Sequence, residues 1–264
     1  MTVITLLTDF GLRDGYPGMM KGVIWKIAPN VQIADITHAI QAQDILQGAI
    51  TLARAAAYFP PGTIHVAVVD PGVGTQRRPI GLQLGEHYFI GPDNGLFTQV
   101  YERAEAQENT IKIVHLNKTE YWLPEVSRVF QGRDIFAPTA AHLALGTRLE
   151  EMGTPIRDPV RLAIPRPEQL QGGGSQGQVI YIDHFGNLST NMNVSQLEQA
   201  QDVIVRIKGV EIVGLVTTFG ERPPGSLVAL LDSSGSLAIS IVNGSAAQYL
   251  EVGVGEKVEI MIVR

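Results

Sequence analysis

Residues 70–78, Asp-Pro-Gly-Val-Gly-Thr-Gln-Arg-Arg, combine the residue types and the spacing that a polar reaction site needs. They follow the apolar, β-branched run 63–69, which predicts a buried strand that places the Asp70 carboxylate at the end of a sheet. The glycine-rich turn allows Arg77 to fold back against Asp70 around a polar pocket. Such a pair can orient a small polar reactant through hydrogen bonds and charge. From spacing alone, an ion pair that only stabilises the turn is equally consistent.

A second carboxylate, Asp9, follows the first predicted strand, Val3–Thr8. In an open parallel sheet, ligands bind on the loops beyond the carboxyl ends of the strands, so Asp9 and Asp70 are both candidate binding residues. The segment Gly91-Pro92-Asp93-Asn94-Gly95 is interpreted as structural, because proline and Asn-Gly suffice for a tight turn. Glycine motifs for dinucleotides or nucleoside triphosphates are absent, and the six histidines lack metal-ligand spacing, so no metal site is expected.

The first half of the chain alternates between strand and helix patterns, which predicts an α/β domain with a mostly parallel sheet. Asp44 is a candidate N-cap for the second helix. The predicted strands cover residues 3–8, 31–36, 63–69, 80–84, 88–90 and 111–116, and the predicted helices cover 18–28, 44–58 and 135–145.

The pattern changes after Gly146, and residues 154–177 form a proline-rich segment that contains a run of three glycines. The sequence therefore predicts an α/β N-terminal domain over residues 1–153, a linker over 154–175 and a small all-β barrel domain over 176–264. Only residues 195–201 have a helical pattern in the last domain. Its predicted strands cover residues 178–182, 203–207, 227–231, 237–241 and 257–263.

The composition of the chain disfavours or excludes several classes of partner and chemistry. The net charge of −6 without blocks of like charge disfavours nucleic acid as a partner, and no basic amphipathic helix or long apolar run indicates a membrane. The absence of cysteine excludes thiol chemistry and disulfides. The N-terminus lacks a basic segment and reaches Asp9 within a strand pattern, so we expect a cytoplasmic protein.

Five motifs together resemble those of the S-adenosyl-L-methionine (SAM) hydroxide adenosyltransferases, or SAM hydrolases, which are related to the SAM-dependent fluorinase and chlorinase. The resemblance covers nearly the whole chain, and the ordered set is far more specific than any single motif. The motifs are Thr8-Asp9-Phe10-Gly11, Val69-Asp70-Pro71-Gly72-Val73-Gly74, Gly91-Pro92-Asp93-Asn94-Gly95-Leu96, Gly132-Arg133-Asp134-Ile135-Phe136-Ala137-Pro138 and Asp183-His184-Phe185-Gly186-Asn187.

The resemblance implies a homotrimer in which SAM lies between the N-terminal domain of one chain and the C-terminal domain of its neighbour. SAM is then the substrate, and no separate cofactor is expected. Carried over by position, Asp9 accepts hydrogen bonds from both ribose hydroxyls, which suits the two oxygens of a carboxylate. Three aromatic side chains are implied to wall the adenosyl group: Phe130, Phe185 and Phe219.

The remaining implied contacts lie in the last domain. Asn187 pairs with the adenine edge, and Asp183 meets the ammonium group of methionine. Ser233 and Ser234 match the position where the fluorinase has an arginine for the methionine carboxylate. Without the motif context, phenylalanines such as these are more often core residues.

The implied reaction is attack of an oriented water or hydroxide on the ribose C5′, with Asp70 and Arg77 orienting the nucleophile. Relatives complete this site with a histidine, whereas this chain has Gln131 in the corresponding Gln-Gly-Arg-Asp motif. Glutamine can hydrogen-bond a water but cannot take its proton near neutral pH. If the histidine acts only by hydrogen bonding, Gln131 would supply both an acceptor and a donor.

Two alternatives stay open. A SAM-dependent halogenase is disfavoured because the Asp70 carboxylate would repel a halide ion. The chain also has only about nine residues between Arg78 and Tyr88, where the fluorinase has a long insertion. The second alternative is a catalytically weakened protein that only binds SAM or adenosine, and Gln131 is the feature that supports it.

Overall fold

The computed structural model describes residues 2–171, 173–193 and 203–262. The chain forms two compact units, Met1–Leu162 and Ala163–Arg264. Both ends of the predicted linker 154–175 belong to sheets, because Thr154–Pro155 and Glu168–Gln169 are short strands. In the described ranges, no helix has the length and apolar character to cross a membrane, and no cluster of acidic, histidine or cysteine side chains is arranged to hold a metal ion.

The first unit is built on a seven-stranded sheet with strand order β2-β1-β3-β5-β4-β6-β7. The pairs β2–β1, β1–β3 and β3–β5 are parallel, whereas β4 and β6 join in antiparallel pairs. The predicted α/β fold is therefore confirmed, but the sheet is mixed and not mostly parallel, with three parallel and three antiparallel pairs. The strands are β1 (Val3–Thr8), β2 (Gln32–Thr37), β3 (Ile64–Val68), β4 (Pro79–Leu84), β5 (His87–Pro92), β6 (Ile111–His115) and β7 (Thr154–Pro155).

Helices cover both faces of this sheet. Successive side chains of a strand point to opposite faces, so a strand that is apolar throughout must be covered on both. Ile4 and Leu6 of β1 pack in one core cluster with residues of α1 and α4, whereas Leu7 packs in another with residues of α2. The Asp44 carboxylate accepts a hydrogen bond from the Gln47 amide at 2.8 Å, which confirms it as the N-cap of α2. The helices are α1 (Tyr16–Ile27), α2 (Ile45–Ala56), α3 (Thr98–Ala106) and α4 (Ala137–Ala144).

The second unit is an antiparallel sheet of eight strands with main order β12-β11-β15-β9-β10-β14-β13, while β8 pairs with β9. The amide of Val216, just after β12, donates to the carbonyl of Ala229 in β13, so the sheet is nearly closed and barrel-like as predicted. Its strands are β8 (Glu168–Gln169), β9 (Ser175–Ile182), β10 (Leu188–Asn193), β11 (Val203–Ile207), β12 (Val210–Val213), β13 (Leu227–Leu231), β14 (Ser236–Ile241) and β15 (Lys257–Ile262).

The short helix α5 (Ala246–Leu250) was not predicted, because five residues are too few for a periodic apolar pattern. Ser245 caps it by accepting a hydrogen bond from the Gln248 amide. The predicted helix 195–201 lies entirely in the gap 194–202, outside the described residues.

A histidine in the core of the first unit predicts an acid-sensitive fold. His65 is fully buried on β3 and stacks on Phe89 at 4.9 Å between ring centroids. Burial, and then the neighbouring charge of His87, lower the pKa of His65 to about 3 from its ordinary value of 6.5. Between those values the unfolded chain binds a proton that the folded chain does not, so stability is complete above 6.5 and falls as the pH drops towards 3.

We therefore expect the free energy of unfolding in urea to fall with decreasing pH across this window, with a contribution from His65 on the order of 1.4 kcal/mol per pH unit. His65→Gln removes this titration and should flatten the pH dependence, even though the variant is less stable at pH 7. An unchanged slope in His65→Gln would contradict the assignment.

Candidate active site

Asp70 and Arg77 meet directly at the carboxyl end of β3. The Nε of Arg77 donates to both carboxylate oxygens of Asp70 at 3.0 Å, and Nη2 also donates to Oδ2. The side chains are only 5% and 9% exposed, so the pair is desolvated. Gly74 makes the turn between them possible, because it has a φ of +79° and a Cβ there would lie 2.7 Å from the carbonyl oxygen of Arg128.

Gln131 completes a buried cluster with this pair. Its Oε1 accepts a hydrogen bond from Nη2 of Arg77 at 2.5 Å. Because a guanidinium has donors but no acceptor, the amide oxygen must face Arg77 and the NH₂ group is left for other partners. One of the two lone pairs of the amide oxygen is thus taken by Arg77, and the other lone pair and the NH₂ group can still meet a water.

One terminal nitrogen of the Arg77 guanidinium is left without a partner among the described residues. This atom, Nη1, is buried and accepts no hydrogen-bond partner from that part of the chain. The Cζ atom lies 5.3 Å from the ring centroid of Phe136, which packs against the cation. A buried unpaired N–H is costly, so this atom marks a place where a polar ligand or water would be stabilised.

A cavity of about 420 Å³ opens beside this cluster, and Asp9, Asp70, Phe130 and Gln131 all line it. Four residues that the sequence analysis assigns to catalysis or substrate binding thus share one pocket. Arg77 lies behind Asp70 and Gln131. One oxygen of Asp9 accepts a hydrogen bond from the backbone amide of Gln43 at 2.8 Å, and the carboxylate borders the same space.

Aromatic rings form one side of the cavity. Phe130 packs edge-on against Phe10 and Tyr16, with ring centroids 5.9 Å and 5.2 Å away. On its other side, the guanidinium of Arg133 lies 4.9 Å from the Phe130 ring centroid. These contacts hold Phe130 as a rigid apolar surface, which suits a flat heterocycle or a ribose.

The residues that follow Gln131 support the site. Residues Gly132–Phe136 form a single π-helical turn, a feature that is frequent at functional sites. The fully buried Asp134 accepts hydrogen bonds from Arg133 and from the Ser127 amide at 2.8 Å, which anchors the preceding loop. The hydrogen bond from Arg133 to Asp134 raises the pKa of Arg133 above its ordinary value. These residues therefore position Phe130 and Gln131.

The turn at residues 91–95 makes contacts within the protein, in line with its structural interpretation. Asp93 accepts hydrogen bonds from Nε and Nη2 of Arg78 and from the Val160 amide. The side chain of Asn94 donates to the carbonyl of Val69 at 2.8 Å. Asn94 thereby fixes the backbone immediately before Asp70.

A second cavity of about 500 Å³ lies in the barrel-like unit and is lined by Phe185, Asn187 and Phe219. Phe185 is 71% exposed and Phe219 is 42% exposed, which is unusual for large apolar side chains. The tight turn between Phe185 and Asn187 needs Gly186, whose φ is +81° and whose Cβ would lie 2.0 Å from Oγ of Ser245.

The other predicted residues of this unit do not line that cavity. Asp183 accepts hydrogen bonds from the backbone amides of Phe185 and Asn187 and from the Asn187 side chain, so its carboxylate organises the turn. Ser233 and Ser234 lie on the turn between β13 and β14, where the Ser234 hydroxyl donates to Asp232. The structure therefore groups Phe185, Asn187 and Phe219 but not these two serines with them.

Comparisons with known proteins agree with the five ordered motifs. Residues 4–153 match the family profile of the SAM hydroxide adenosyltransferase N-terminal domain, and residues 177–259 match that of the C-terminal domain. The chain belongs to the SAM hydroxide adenosyltransferase family.

The hydrolases and fluorinases that resemble this chain differ in their sequence identity to it. A protein of Salinispora tropica named (R)-S-adenosyl-L-methionine hydrolase is 38% identical over 97% of this chain and 97% of its own length. A fluorinase of Actinoplanes is 29% identical over 90% of each chain. The crystal structure of an uncharacterized conserved protein from Thermotoga maritima superposes with a TM-score of 0.89, at 36% identity, over 98% of this chain and 99% of that one.

Several residues that line the two cavities of this family member were not identified from the sequence. In the first cavity they include Tyr16, Gln43 and Val129, and in the second they include Asn243 and Gly244. Tyr16 and Val129 are 45% and 77% exposed, but exposure is not readable from a lone apolar residue. The one available signal was Asn243-Gly244, which marks a turn at the end of β14.

Proposed function

We propose that this protein hydrolyses SAM at the ribose C5′, yielding adenosine and L-methionine. The observation that carries the proposal is the buried cluster of Asp70, Arg77 and Gln131 on the cavity that Asp9 also lines. Asp9 binds the ribose hydroxyls and Phe130 contacts the adenosyl group. The nucleophile is then held on the Asp70 side of the same space.

The cluster favours catalysis by orientation. The Asp70 carboxylate accepts from the attacking water, while the NH₂ group of Gln131 donates to its oxygen. No carboxylate is a strong enough base to form free hydroxide from water, so Asp70 acts by accepting a hydrogen bond. Its acceptor geometry instead directs an oxygen lone pair at C5′.

The bond changes of SAM hydrolysis do not require a strong base in the site. As the water oxygen bonds to C5′, the C5′–S bond breaks and its electron pair passes to sulfur, so the sulfonium charge disappears. Methionine leaves as a neutral thioether and needs no proton. The new C5′–OH₂⁺ group is strongly acidic, so it loses its proton to Asp70 and then to solvent without a strong base. The products are adenosine, methionine and one proton.

A halide as nucleophile is disfavoured by the same carboxylate. Asp70 lies 5% exposed beside the cavity, and charge repulsion of an anion grows as a site is desolvated. Arg77 offsets part of that charge, but the donors on its Nε and Nη2 are directed at Asp70 and Gln131.

The direct test is incubation with SAM in ¹⁸O-labelled water, followed by chromatography and mass spectrometry. Hydrolysis at C5′ produces adenosine that carries the heavy oxygen, in equal amounts with methionine. Addition of chloride or fluoride should produce no halogenated nucleoside. Bound SAM without adenosine after prolonged incubation would support the binding-only alternative instead.

For the assembly, we infer a homotrimer whose active sites each take residues from two chains. Support comes from the two separate cavities, each of which holds only part of the expected SAM contacts, and from the exposed apolar side chains at both. SAM then contacts Asp9 and Phe130 of one chain and Phe185 and Asn187 of its neighbour, with Asp70 of the first chain facing the nucleophile.

Mixed oligomers test this arrangement. Asp70→Ala removes the nucleophile contact, whereas Phe185→Ala removes an exposed ring from the other cavity and should leave folding intact. If each site uses two chains, co-expression of both variants should restore about a quarter of the sites, by random assembly of a cyclic oligomer. Each variant alone is the control. Absence of recovery in isolated mixed oligomers would show that one chain supplies both cavities.

A further inference from the structure

A buried threonine–histidine pair lies directly behind the Asp9 turn. Thr8 ends β1 and His38 follows β2, its parallel neighbour in the sheet. Oγ1 of Thr8 and Nδ1 of His38 are 2.8 Å apart, and the two residues are 0% and 3% exposed. The proposed chemistry uses neither residue.

The direction of the hydrogen bonds follows from the carboxylate beside His38. Nε2 of His38 lies 3.1 Å from Oδ1 of Asp35, which has no proton to offer, so the ring proton is assigned to Nε2 and Nδ1 is left as an acceptor. The Thr8 hydroxyl then donates to Nδ1 of His38, while Oγ1 accepts from the Phe10 amide at 3.2 Å. Lys21 donates to the other oxygen of Asp35 at 2.6 Å.

This chain of contacts reaches Asp9 from two sides. Thr8 fixes the amide of Phe10, the residue after Asp9. The carbonyl of His38 accepts from the Gly11 amide at 2.7 Å, so the same histidine holds the far end of the turn. A few residues on, the Gln43 amide donates to Asp9 itself. The orientation of the Asp9 carboxylate therefore depends on residues 38–43.

We propose that His38, acting through Thr8, is a positioning residue that orients Asp9 for the ribose hydroxyls. This inference rests on the proposed function, in which Asp9 binds those hydroxyls. Loss of the pair leaves the turn free to rotate, so the carboxylate no longer meets both hydroxyls at once. Recognition of the ribose weakens, while the nucleophile cluster around Asp70 is untouched.

The same strand contains a matched control. Thr5 and His65 form an equivalent pair, with Oγ1 of Thr5 2.8 Å from Nδ1 of His65, and both residues are fully buried. Their register places them side by side on β1 and β3. Thr5 lies three residues before Thr8 and lines neither cavity, so Thr5→Val removes a similar hydrogen bond away from Asp9.

The experiment compares affinities for adenosine and 2′-deoxyadenosine by calorimetry on the intact oligomer. We expect the parent chain to prefer adenosine, and Thr8→Val to lose about fivefold or more of that preference, since a hydrogen bond to a charged group is lost. Thr8→Ser restores the hydroxyl and should restore the preference. Thr5→Val should keep it, even if its melting temperature falls as far as that of Thr8→Val.

The experiment distinguishes a failure of the proposed ribose contact from a failure of the positioning role. A parent chain that binds both nucleosides equally would contradict the ribose contact of Asp9, and the inference with it. A preference that Thr8→Val retains in full would overturn the positioning role alone. If Thr8→Val does not fold, His38→Ala removes the same hydrogen bond from the other partner and is judged by the same ratio.

Discussion

Asp70→Asn should lower the turnover of saturating SAM by at least about tenfold, the scale on which orienting and electrostatic groups act. The substitution keeps the shape of the side chain but replaces one acceptor oxygen by a donor, so the water can no longer be held by the same geometry. The Michaelis constant for SAM should change far less, because Asp70 contacts the nucleophile and not the substrate. Adenosine release under saturation measures both quantities.

Asp93→Asn is the matched control for this experiment. Asp93 pairs with Arg78 as Asp70 pairs with Arg77, and its side chain is similarly buried at 2% exposed. Breaking the buried Asp70–Arg77 pair costs about 3–5 kcal/mol of stability. Arg78 is 27% exposed and keeps its ion pair with Asp158, so Asp93→Asn should cost less. Only Asp70→Asn should lower turnover at a temperature where both variants are folded. Equal turnover losses in the two variants would assign Asp70 a structural role.

The parts of the fold that were predicted best from the sequence are those that local patterns determine. β1 has the predicted bounds, and Asp44 caps α2 as expected, because a capping hydrogen bond involves residues three apart. The pairing of Asp70 with Arg77 was also within reach, since both residues lie on one turn. By contrast, α3 was not predicted, because only Thr98, Val100 and Ala104 are buried and the apolar period is weak.

The parts of the candidate site that the sequence did not predict depend on contacts between segments that are distant along the chain. Gln131 is 54 residues from Arg77, and only the folded geometry shows that Arg77 takes its amide oxygen. Tyr16 and Gln43 reach the cavity through the packing of α1 and the loop before α2, which no local pattern encodes. The Thr8–His38 pair likewise depends on the parallel register of β1 and β2.

Gln131 occupies the position where the family resemblance implies a histidine, and two substitutions there separate hydrogen bonding from proton transfer. Gln131→Met keeps the length of the side chain but removes both the acceptor for Arg77 and the donor to the cavity. Arg77 then has a further unpaired N–H, and the water loses one of its two anchors. Turnover should fall by about tenfold or more, on the scale of one lost orienting hydrogen bond.

Gln131→His should behave differently, because a neutral imidazole can reproduce both contacts of the glutamine. With one ring nitrogen accepting from Arg77, the other must carry the proton and face the cavity as a donor, so it cannot act as a base for the attacking water. We therefore expect turnover close to the parent value above the ordinary imidazole pKa of about 6.5. Below it, the protonated ring loses its acceptor and repels Arg77, so turnover should fall while the parent chain stays active. A pH series of adenosine release tests this, with Gln131→Met showing no comparable fall. A gain of about 10²–10⁴-fold above pH 6.5 would instead identify the histidine as a general base and overturn catalysis by orientation alone.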